Sequence, residues 1–569
     1  MSEVSINDYA LLSDCQSAAL VSRSGSVDWY CTPRFDSPAV FARLLGGAQG
    51  GHWSIRPAGE YEVERAYVGD TMVLRTEFRT PRGLVALTDT LALERGARGH
   101  EVGMRAPHVL LRRLEGIEGE VEVALEFSPR LEYALTTPRV SPTNAGAVAR
   151  GGPTELYLTS GRPLTVGGSE ATAQFRVRAG EVADFALLYR RAVGEAEGEA
   201  LTPQDVGEGL ENAREGWRSW SELHQGYEGP YAGQVRRSAL VLQALTYQPT
   251  GAVVAAATTS LPETPGGEDN WDYRYVWLRD LGLTLRALWV AACPDEVRRF
   301  FYWLDRATGG HSGAGQGLQV VYGVEGERGL TERTLNHLQG FRGSSPVRVG
   351  NDAWYQRQID VYGEVVDAAY VLREQLGEEF DEVTALLICA LADRAAESWQ
   401  APDSGMWEAR DKERHYLSSK VWCWVALDRA VRLAPRLGDH AHAEGWKAAR
   451  GEVREAILEH GWSEEVGAYT GAFGSEKLDA SVLLMPLVGF LPDDDERMMA
   501  TVEKIERELA PDGLVPGPAV DEKGFFICTY WLVENLARCG RVRDAVELFE
   551  KTTAFANDLG LLAEEADAA

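Results

Sequence analysis

The hydrophobic period of this 569-residue chain changes once, near residue 205. Before that point apolar residues repeat at every second position, as in 121–127, where Glu122, Ala124 and Glu126 separate four larger apolar residues. A period of two is typical of a half-buried strand. Similar segments are found at 61–67, 71–79, 84–92, 155–159, 173–178 and 183–191. Short strands separated by Gly- and Pro-containing turns predict an antiparallel β-sandwich over residues 1–204.

After residue 205 the apolar residues follow the helical period. A segment that contains Trp217 and Trp220 predicts a helical linker over 205–231, and residues 232–569 are predicted to form a helical domain. The helix candidates of that domain are 232–248, 279–292, 295–307, 357–375, 379–398, 417–434, 440–460, 478–490, 494–509, 523–538 and 541–555. Barrels of paired helices close with an even number of helices, so one helix is either missing or not recognisable in the sequence.

Two long connections, 249–278 and 308–356, interrupt the helices, and loops of this length in a compact domain are usually functional. The first ends in Asn270–Asp280, which contains four aromatic residues and four charged ones. Buried charges need partners or a polar ligand. Flat aromatic faces beside fixed carboxylates and guanidiniums are suited to binding a sugar. The alternative is a purely structural network of ion pairs at the start of a helix.

Charge and composition argue against several classes of partner. The 86 acidic and 57 basic residues give a formal net charge of −29, which is unfavourable for binding nucleic acid or an anionic membrane. Seven scattered cysteines without CxxC spacing are typical of a reducing compartment. The first residues lack the basic and apolar regions of a secretion signal, and no run of about 18 apolar residues occurs. We therefore expect a cytoplasmic protein with two or more domains.

Two acidic positions are candidates for chemistry. Glu408 follows Trp407 in a turn-rich loop just before a long helix. A carboxyl that packs against an indole is desolvated, which raises its pKa and suits it to act as a general acid, whereas the alternative is an ordinary surface glutamate. Glu564 and Glu565 lie near the end of the chain, where an acidic tail is usually only solvated charge.

Other chemistries have no recognisable motif. The ten histidines form no HxxxH pair and a single HxH pair, His440 and His442, and the acidic residues lack EF-hand spacing, so no metal is expected. The sequence contains no P-loop, no GxGxxG and no GxSxG, so neither a nucleotide cofactor nor serine hydrolysis is expected. Polar side chains of the 331–364 segment, Arg348 among them, are too numerous for a plain core and are candidates for binding.

Taken together, these segments resemble glycoside hydrolase family 15, the family of glucoamylases and bacterial trehalases, along nearly the whole chain. The matching segments are Ile6–Val21, Gly25–Trp29, Pro33–Pro38, Gly251–Glu263, Trp271–Asp280, 331–364, Trp407-Glu408 and Gly524–Glu534. The resemblance implies an N-terminal antiparallel β-sandwich, a helical linker and an (α/α)6 barrel of the six-hairpin glycosidase type. Family members usually continue through a final helix, whereas this sequence stops at Ala569, so we expect the last barrel helix to be missing.

The resemblance also implies roles for individual residues. Glu408 resembles the general acid and Glu564 the general base, because the first acid of the Glu564-Glu565 pair aligns with the single acid of the family. Arg279 and Asp280 resemble the pair that binds the non-reducing glucose. The other residues expected to bind substrate are Trp277, Trp407 and Arg348. Trp271 and Tyr273 are interpreted as loop packing.

The predicted function is that of an inverting, exo-acting hydrolase that releases β-glucose from α-linked glucosides. A glucoamylase or α-glucosidase is slightly favoured, and an α,α-trehalase is the alternative. Two less favoured functions depend on the short tail that carries Glu564: a disaccharide phosphorylase, or a sugar-binding relative without activity. The expected partner is a carbohydrate substrate. The oligomeric state is left open, a homo-oligomer included.

Overall fold

The computed structural model describes residues 4–193, 201–224, 226–290, 294–308, 318–376, 380–517 and 523–566. Its N-terminal region is an antiparallel β-sheet domain. Strands β1 to β15 are Tyr9–Ser13, Ala18–Ser22, Ser26–Cys31, Ala39–Ala42, His52–Pro57, Glu62–Tyr67, Leu74–Thr80, Gly83–Leu91, Val109–Ser128, Arg139–Thr143, Gly146–Gly151, Thr154–Ser160, Thr165–Gly167, Glu170–Arg178 and Val182–Arg191.

The 20-residue strand β9 joins the two layers of this domain. Its first part pairs with β15 and β8, and its second part pairs with β5 and β14. Strands β6 to β15 include all seven segments whose alternation is visible in the sequence. Strands β1 to β4 escape that analysis because every residue in them is buried, so no polar face alternates with the apolar one.

The rest of the chain is helical. The helices of more than ten residues, α1 to α11, are Pro203–Leu223, Ala232–Ala244, Leu278–Val290, Pro294–Thr308, Val361–Val371, Glu382–Ser398, Leu417–Leu437, Ala443–His460, Glu496–Glu508, Phe526–Arg538 and Val542–Thr553. Helix α1 lies in the predicted linker and begins at a capping box formed by Thr202 and Asp205. Helices α2 to α11 match ten of the predicted barrel helices. The eleventh, 478–490, is found as the short helical segments Ala480–Leu483 and Leu484–Leu487.

Helix α7 packs against α5, α6 and α8. Sixteen of its 21 residues are buried, and they include polar ones such as Lys420, Asp428 and Arg429, whose side chains find partners inside the fold. After α11 the described chain forms turns and then the short strand Glu565–Ala566, which pairs with Gly524–Phe525. The end of the described chain is therefore hydrogen-bonded to the segment that begins α10.

Candidate active site

The segment Asn270–Asp280 divides into two halves with different surroundings. In the first half Arg274 binds Asp272 through two hydrogen bonds of 2.8 and 2.7 Å, and both side chains are fully buried. Arg274 also donates to the carbonyl of Ser37 at 3.0 Å, and the amide of Gly350 donates to Asp272 at 3.1 Å. This pair ties the loop to the sheet domain, so the structural alternative holds for this half.

The second half lies beside Glu408 and Glu564, and we call this group of side chains the pocket. The short strand Val276–Trp277 pairs with Val321–Tyr322, and helix α3 starts at the next residue. This arrangement places Trp277, Arg279 and Asp280 at the beginning of α3. The indole nitrogen of Trp277 donates to Oε1 of Glu408 at 2.6 Å, and the Trp277 side chain is buried.

Glu408 has an unusual backbone. Its φ of +58° lies in the left-handed region, which residues other than glycine rarely adopt. The strain is maintained by contacts on both sides of the residue: its amide donates to Gly405, and its carbonyl accepts from Gln356 at 3.1 Å. Its carboxylate accepts from Trp277 and lies 3.4 Å from the guanidinium of Arg279. A strained backbone held by this many contacts is typical of a functional side chain.

Arg279 is the cation of the pocket. It donates to Asp280 at 3.3 Å, to the carbonyl of Met406 and to Glu408 at 3.4 Å. Burial alone would lower its pKa, but the negative charges of Asp280, Glu408 and Glu364 raise it, so the guanidinium stays charged. Burial raises the pKa of Asp280, and Arg279 opposes that shift.

Glu564 is held by its backbone rather than by its side chain. Its carbonyl accepts a hydrogen bond from the amide of Phe526 at 3.1 Å. The next two residues, Glu565–Ala566, pair with Gly524–Phe525. Backbone hydrogen bonds therefore attach the tail to residues 524–526.

Three charged side chains act on the carboxyl of Glu564. Burial and the negative charges of Asp280 and Glu408 raise its pKa to about 7, and Arg279 opposes the shift. The side chain is exposed to solvent, as is part of Asp280. Water therefore reaches the oxygen atoms of Glu564, but protein on most sides of the carboxyl limits its hydration and so raises its pKa.

Tyr273 is a half-buried residue that packs against the apolar core. Its ring lies 5.4 Å from that of Trp277. Burial and the negative charges of Glu564, Glu263 and Glu408 raise its pKa. Tyr273 therefore packs beside Trp277 within reach of the charges of Glu564 and Glu408, and its interpretation as loop packing stays a prediction.

Trp271 does serve as packing, together with Arg348. The guanidinium groups of Arg348 and Arg410 lie 4.2 and 3.6 Å from the centre of a Trp271 ring. Glu332 forms ion pairs with both arginines, at 3.0 and 3.2 Å, and Arg348 also donates to the carbonyl of Glu268. These contacts give Arg348 a structural role, and its contact with substrate stays a prediction.

Trp407 connects the loop of Glu408 to the tail. Its indole nitrogen donates to the carboxylate of Asp479 at 3.0 and 3.1 Å. Its ring packs at 6.0 Å from Phe525 and at 6.4 Å from Trp531. Since Phe525 is paired in register with Glu565, Trp407 supports both acidic segments, and a contact with substrate stays a prediction for this residue too.

Three buried acids, Glu364, Asp360 and Asp403, were missed in the sequence. The first two act on Arg279, and the third acts on Asp360. Burial raises the pKa of Glu364 and of Asp403, and burial together with the charge of Asp403 raises the pKa of Asp360 to about 7. Asp403 accepts from the amide of Ile359 at 3.1 Å and from Ser419 at 2.8 Å. Two of these acids were recognisable in the sequence, because Asp360 and Glu364 lie at the start of an apolar helix. Asp403 was not, because it belongs to another loop.

Metal-binding groups and membrane-spanning helices are both absent from the described residues. None of the histidines, cysteines, aspartates and glutamates in the described ranges form a group of three that could hold a metal ion. No helix in those ranges is long and apolar enough to cross a membrane.

The sequence comparisons place the chain in a family. Residues 229–567 match Glycosyl hydrolases family 15, and residues 1–199 match the trehalase-like N-terminal domain. The first match spans more than half of the chain, so the protein belongs to glycosyl hydrolase family 15. The predicted family and the prediction of a glycoside hydrolase are both confirmed.

The relatives identify the branch of the family that this chain resembles. It is 38% identical to a trehalase of Mycobacterium tuberculosis, over 98% of this chain and 85% of the relative. It is 37% identical to a trehalase of Mycolicibacterium smegmatis, over 98% of this chain and 87% of the relative. A trehalase of Thermoplasma volcanium is 31% identical, over 99% and 89% of the two chains.

A solved structure supports the fold. The chain superposes on a bacterial glucoamylase complexed with acarbose with a TM-score of 0.71, over 100% of this chain and 90% of that chain. Their sequences are 12% identical, so the likeness concerns the fold alone. The expected order, an antiparallel β domain followed by an (α/α)6-type helical domain, is confirmed.

Proposed function

We propose that this protein hydrolyses α,α-trehalose with inversion of configuration. The relatives support a trehalase better than the glucoamylase or α-glucosidase that the sequence slightly favoured, because each of those named above is a trehalase that aligns over almost the whole chain. The observation that carries the mechanism is the convergence on one pocket of Glu408, bound by Trp277 and Arg279, and Glu564.

The two acids divide the work between the two sides of the glycosidic bond. Glu408 donates a proton to the bridging oxygen as the bond to the anomeric carbon breaks. Glu564 accepts a proton from a water molecule, whose oxygen bonds to that carbon from the opposite face. The products are one β-glucose from the attacked residue and one α-glucose from the leaving residue.

Arg279 and Asp280 hold the glucose that is attacked. The guanidinium donates to hydroxyl oxygens and the carboxylate accepts from hydroxyl hydrogens, so together they fix the orientation of one sugar. The oxocarbenium-like transition state carries positive charge on the ring, which the carboxylates of Asp280 and Glu564 stabilise.

The pKa of Glu564 agrees with the role of a base. A general base works best when its pKa lies near the working pH, and Glu564 has a pKa of about 7. A phosphorylase and an inactive sugar-binding protein would both require that this base be displaced or absent. The hydrogen bonds on both sides of Glu564 therefore favour a hydrolase over either of them.

Product analysis by NMR tests this function. Trehalose, maltose, maltotriose and isomaltose are each incubated with the enzyme, with and without phosphate, and the anomeric signals are followed before mutarotation. We expect trehalose to be cleaved fastest, with equal initial amounts of α- and β-glucose. Faster cleavage of maltose would instead support a glucoamylase-type enzyme, and glucose 1-phosphate formed only with phosphate would support a phosphorylase.

A further inference from the structure

The chain that leads to Glu564 rests on the N-terminal sheet domain. Residues 557–561 form a turn in which the amide of Asn557 donates to the carbonyl of Leu561 at 2.9 Å. The side-chain oxygen of Asn557 accepts from the amides of Leu559 at 2.9 Å and Leu561 at 3.1 Å. Its side-chain nitrogen donates at 3.1 Å to the carbonyls of both Asn7 and Tyr9. One asparagine therefore closes the turn and fastens it to the sheet domain.

The next residue forms an ion pair across the same boundary. Asp558 accepts three hydrogen bonds from Arg65 of strand β6, at 2.8, 3.0 and 3.3 Å, and lies 3.2 Å from Arg23. The Arg65 side chain is fully buried, and it also donates to the carbonyls of Asn7 and Asp8. Burial raises the pKa of Asp558, but its hydrogen bonds and ion pair with Arg65 lower it more.

We propose that the N-terminal sheet domain positions the catalytic base, through the contacts of Arg65, Asn7 and Tyr9 with the turn 557–561. This inference rests on the proposed role of Glu564. Only two residues separate the turn from Glu564, and the strand Glu565–Ala566 fixes the other side. The chain is therefore held on both sides of Glu564: the turn 557–561 contacts the sheet domain, and the strand Glu565–Ala566 pairs with the barrel segment Gly524–Phe525. Asn557 and Asp558 are positioning residues, since they act through Glu564.

Two variants release the turn in different ways. Asp558→Asn removes the charge and leaves Arg65 its two backbone carbonyl partners. Asn557→Asp keeps the oxygen that closes the turn and removes the donor to Asn7 and Tyr9. Because a displacement of about 1 Å at a reacting group costs on the order of a hundredfold in rate, we expect kcat for trehalose to fall roughly ten- to a hundredfold. The KM should change much less, since Arg279 and Asp280 are untouched.

Arg34→Gln is the matched control. Arg34 of the sheet domain also crosses the domain boundary, with ion pairs of 2.7 Å to Glu325 and 2.6 Å to Glu327. These partners belong to the barrel and not to the tail. This variant should lower the melting temperature as the tail variants do, yet retain wild-type kcat below that temperature.

The pH profile separates positioning from stability. Asp280, Glu408 and Arg279 surround Glu564 in the pocket. A base that moves away from the two acids towards water regains a more ordinary pKa, so the acidic limb of kcat should shift to lower pH in Asp558→Asn and Asn557→Asp. A purely structural role would lower the melting temperature and leave this limb in place.

Glu564→Gln completes the test. If Glu564→Gln is inactive while both tail variants keep the wild-type kcat and pH profile, the positioning role is refuted and the proposed function stands. If Glu564→Gln keeps wild-type kcat, the proposed base is wrong, and the positioning role is refuted with it. The positioning role is supported if both tail variants lose kcat and shift the acidic limb of the pH profile, while Arg34→Gln does neither.

Discussion

Glu408 and Glu564 face the same pocket but are held by different parts of the molecule. Glu408 lies on a barrel loop, and the side chains of Trp277 and Arg279 bind its carboxylate directly. Glu564 is fixed by backbone pairing and, two residues away, by a turn attached to the sheet domain. On the proposed roles, the general acid is oriented from within the barrel, whereas the general base depends on contacts with both domains.

The largest effect is expected at the acid. Glu408→Gln should lower kcat for trehalose by about 10²–10⁴-fold, because the bridging oxygen is no longer protonated. An α-glucosyl fluoride, whose leaving group needs little protonation, should lose much less. Glu413→Gln, at an exposed position of the same loop, is the control and should keep wild-type kcat. Equal losses on both substrates would show that Glu408 is not the acid.

The second prediction concerns the base and its neighbour. Glu564→Gln should lower kcat by about 10²-fold or more, because water is no longer deprotonated. Glu565→Gln is the matched control and should lose little, since the carboxylate of Glu564 remains. In Glu564→Ala, added azide should restore turnover and yield β-glucosyl azide, which NMR identifies. The reverse result, an inactive Glu565→Gln beside an active Glu564→Gln, would move the base by one residue.

A smaller effect is expected at Trp277, which orients the acid. Trp277→Phe removes the 2.6 Å hydrogen bond to Glu408. A hydrogen bond to a charged group contributes about 2 kcal/mol, which corresponds to about thirtyfold in kcat if the bond acts in the transition state. Trp446→Phe is the control because its indole donates to Asp393 at 2.7 Å, another carboxylate. Similar losses of kcat in the two variants would argue against an orienting role for Trp277.

Sequence patterns predicted the fold better than the support of the site. Alternation revealed strands with one polar face, such as β14, but not β1 to β4, which are buried throughout. Ten of the eleven predicted barrel helices were recognisable because each presents an apolar stripe or an apolar interior. Glu408 and Glu564 were proposed as the catalytic acids because their motifs resemble those of a known family.

The supporting residues depend on the folded structure. Arg65 and Asp558 lie 493 positions apart in the sequence, and only the packing of the two domains brings them together. Asp360 and Asp403 belong to different loops, so their mutual repulsion is invisible in either segment alone. The local pattern around Tyr273 does not reveal its role, because an aromatic residue in a loop looks the same in sequence whether it packs or faces a charged site.

The last prediction uses two aspartates whose pKa values shift in opposite directions. Asp360 has a pKa of about 7 in the folded protein, against about 3.9 in an unfolded chain. The folded state therefore keeps a proton that the unfolded state releases, and the stability from this group is lost as the pH rises from about 4 to about 7. Asp558 has a lowered pKa, so its contribution is present at neutral pH and is lost as the pH falls through the folded pKa.

Asp360→Asn and Asp558→Asn should consequently respond to pH in opposite ways. Near neutral pH and above, Asp360→Asn should melt at a higher temperature than the wild type, since an uncharged amide replaces a buried carboxyl that ionises. Its advantage should vanish near pH 4. Asp558→Asn should melt lower at neutral pH, and its deficit should shrink in strong acid. Melting temperatures measured across this range test both signs. A pH-independent difference in either variant would mean that packing, and not ionisation, sets the stability at that position.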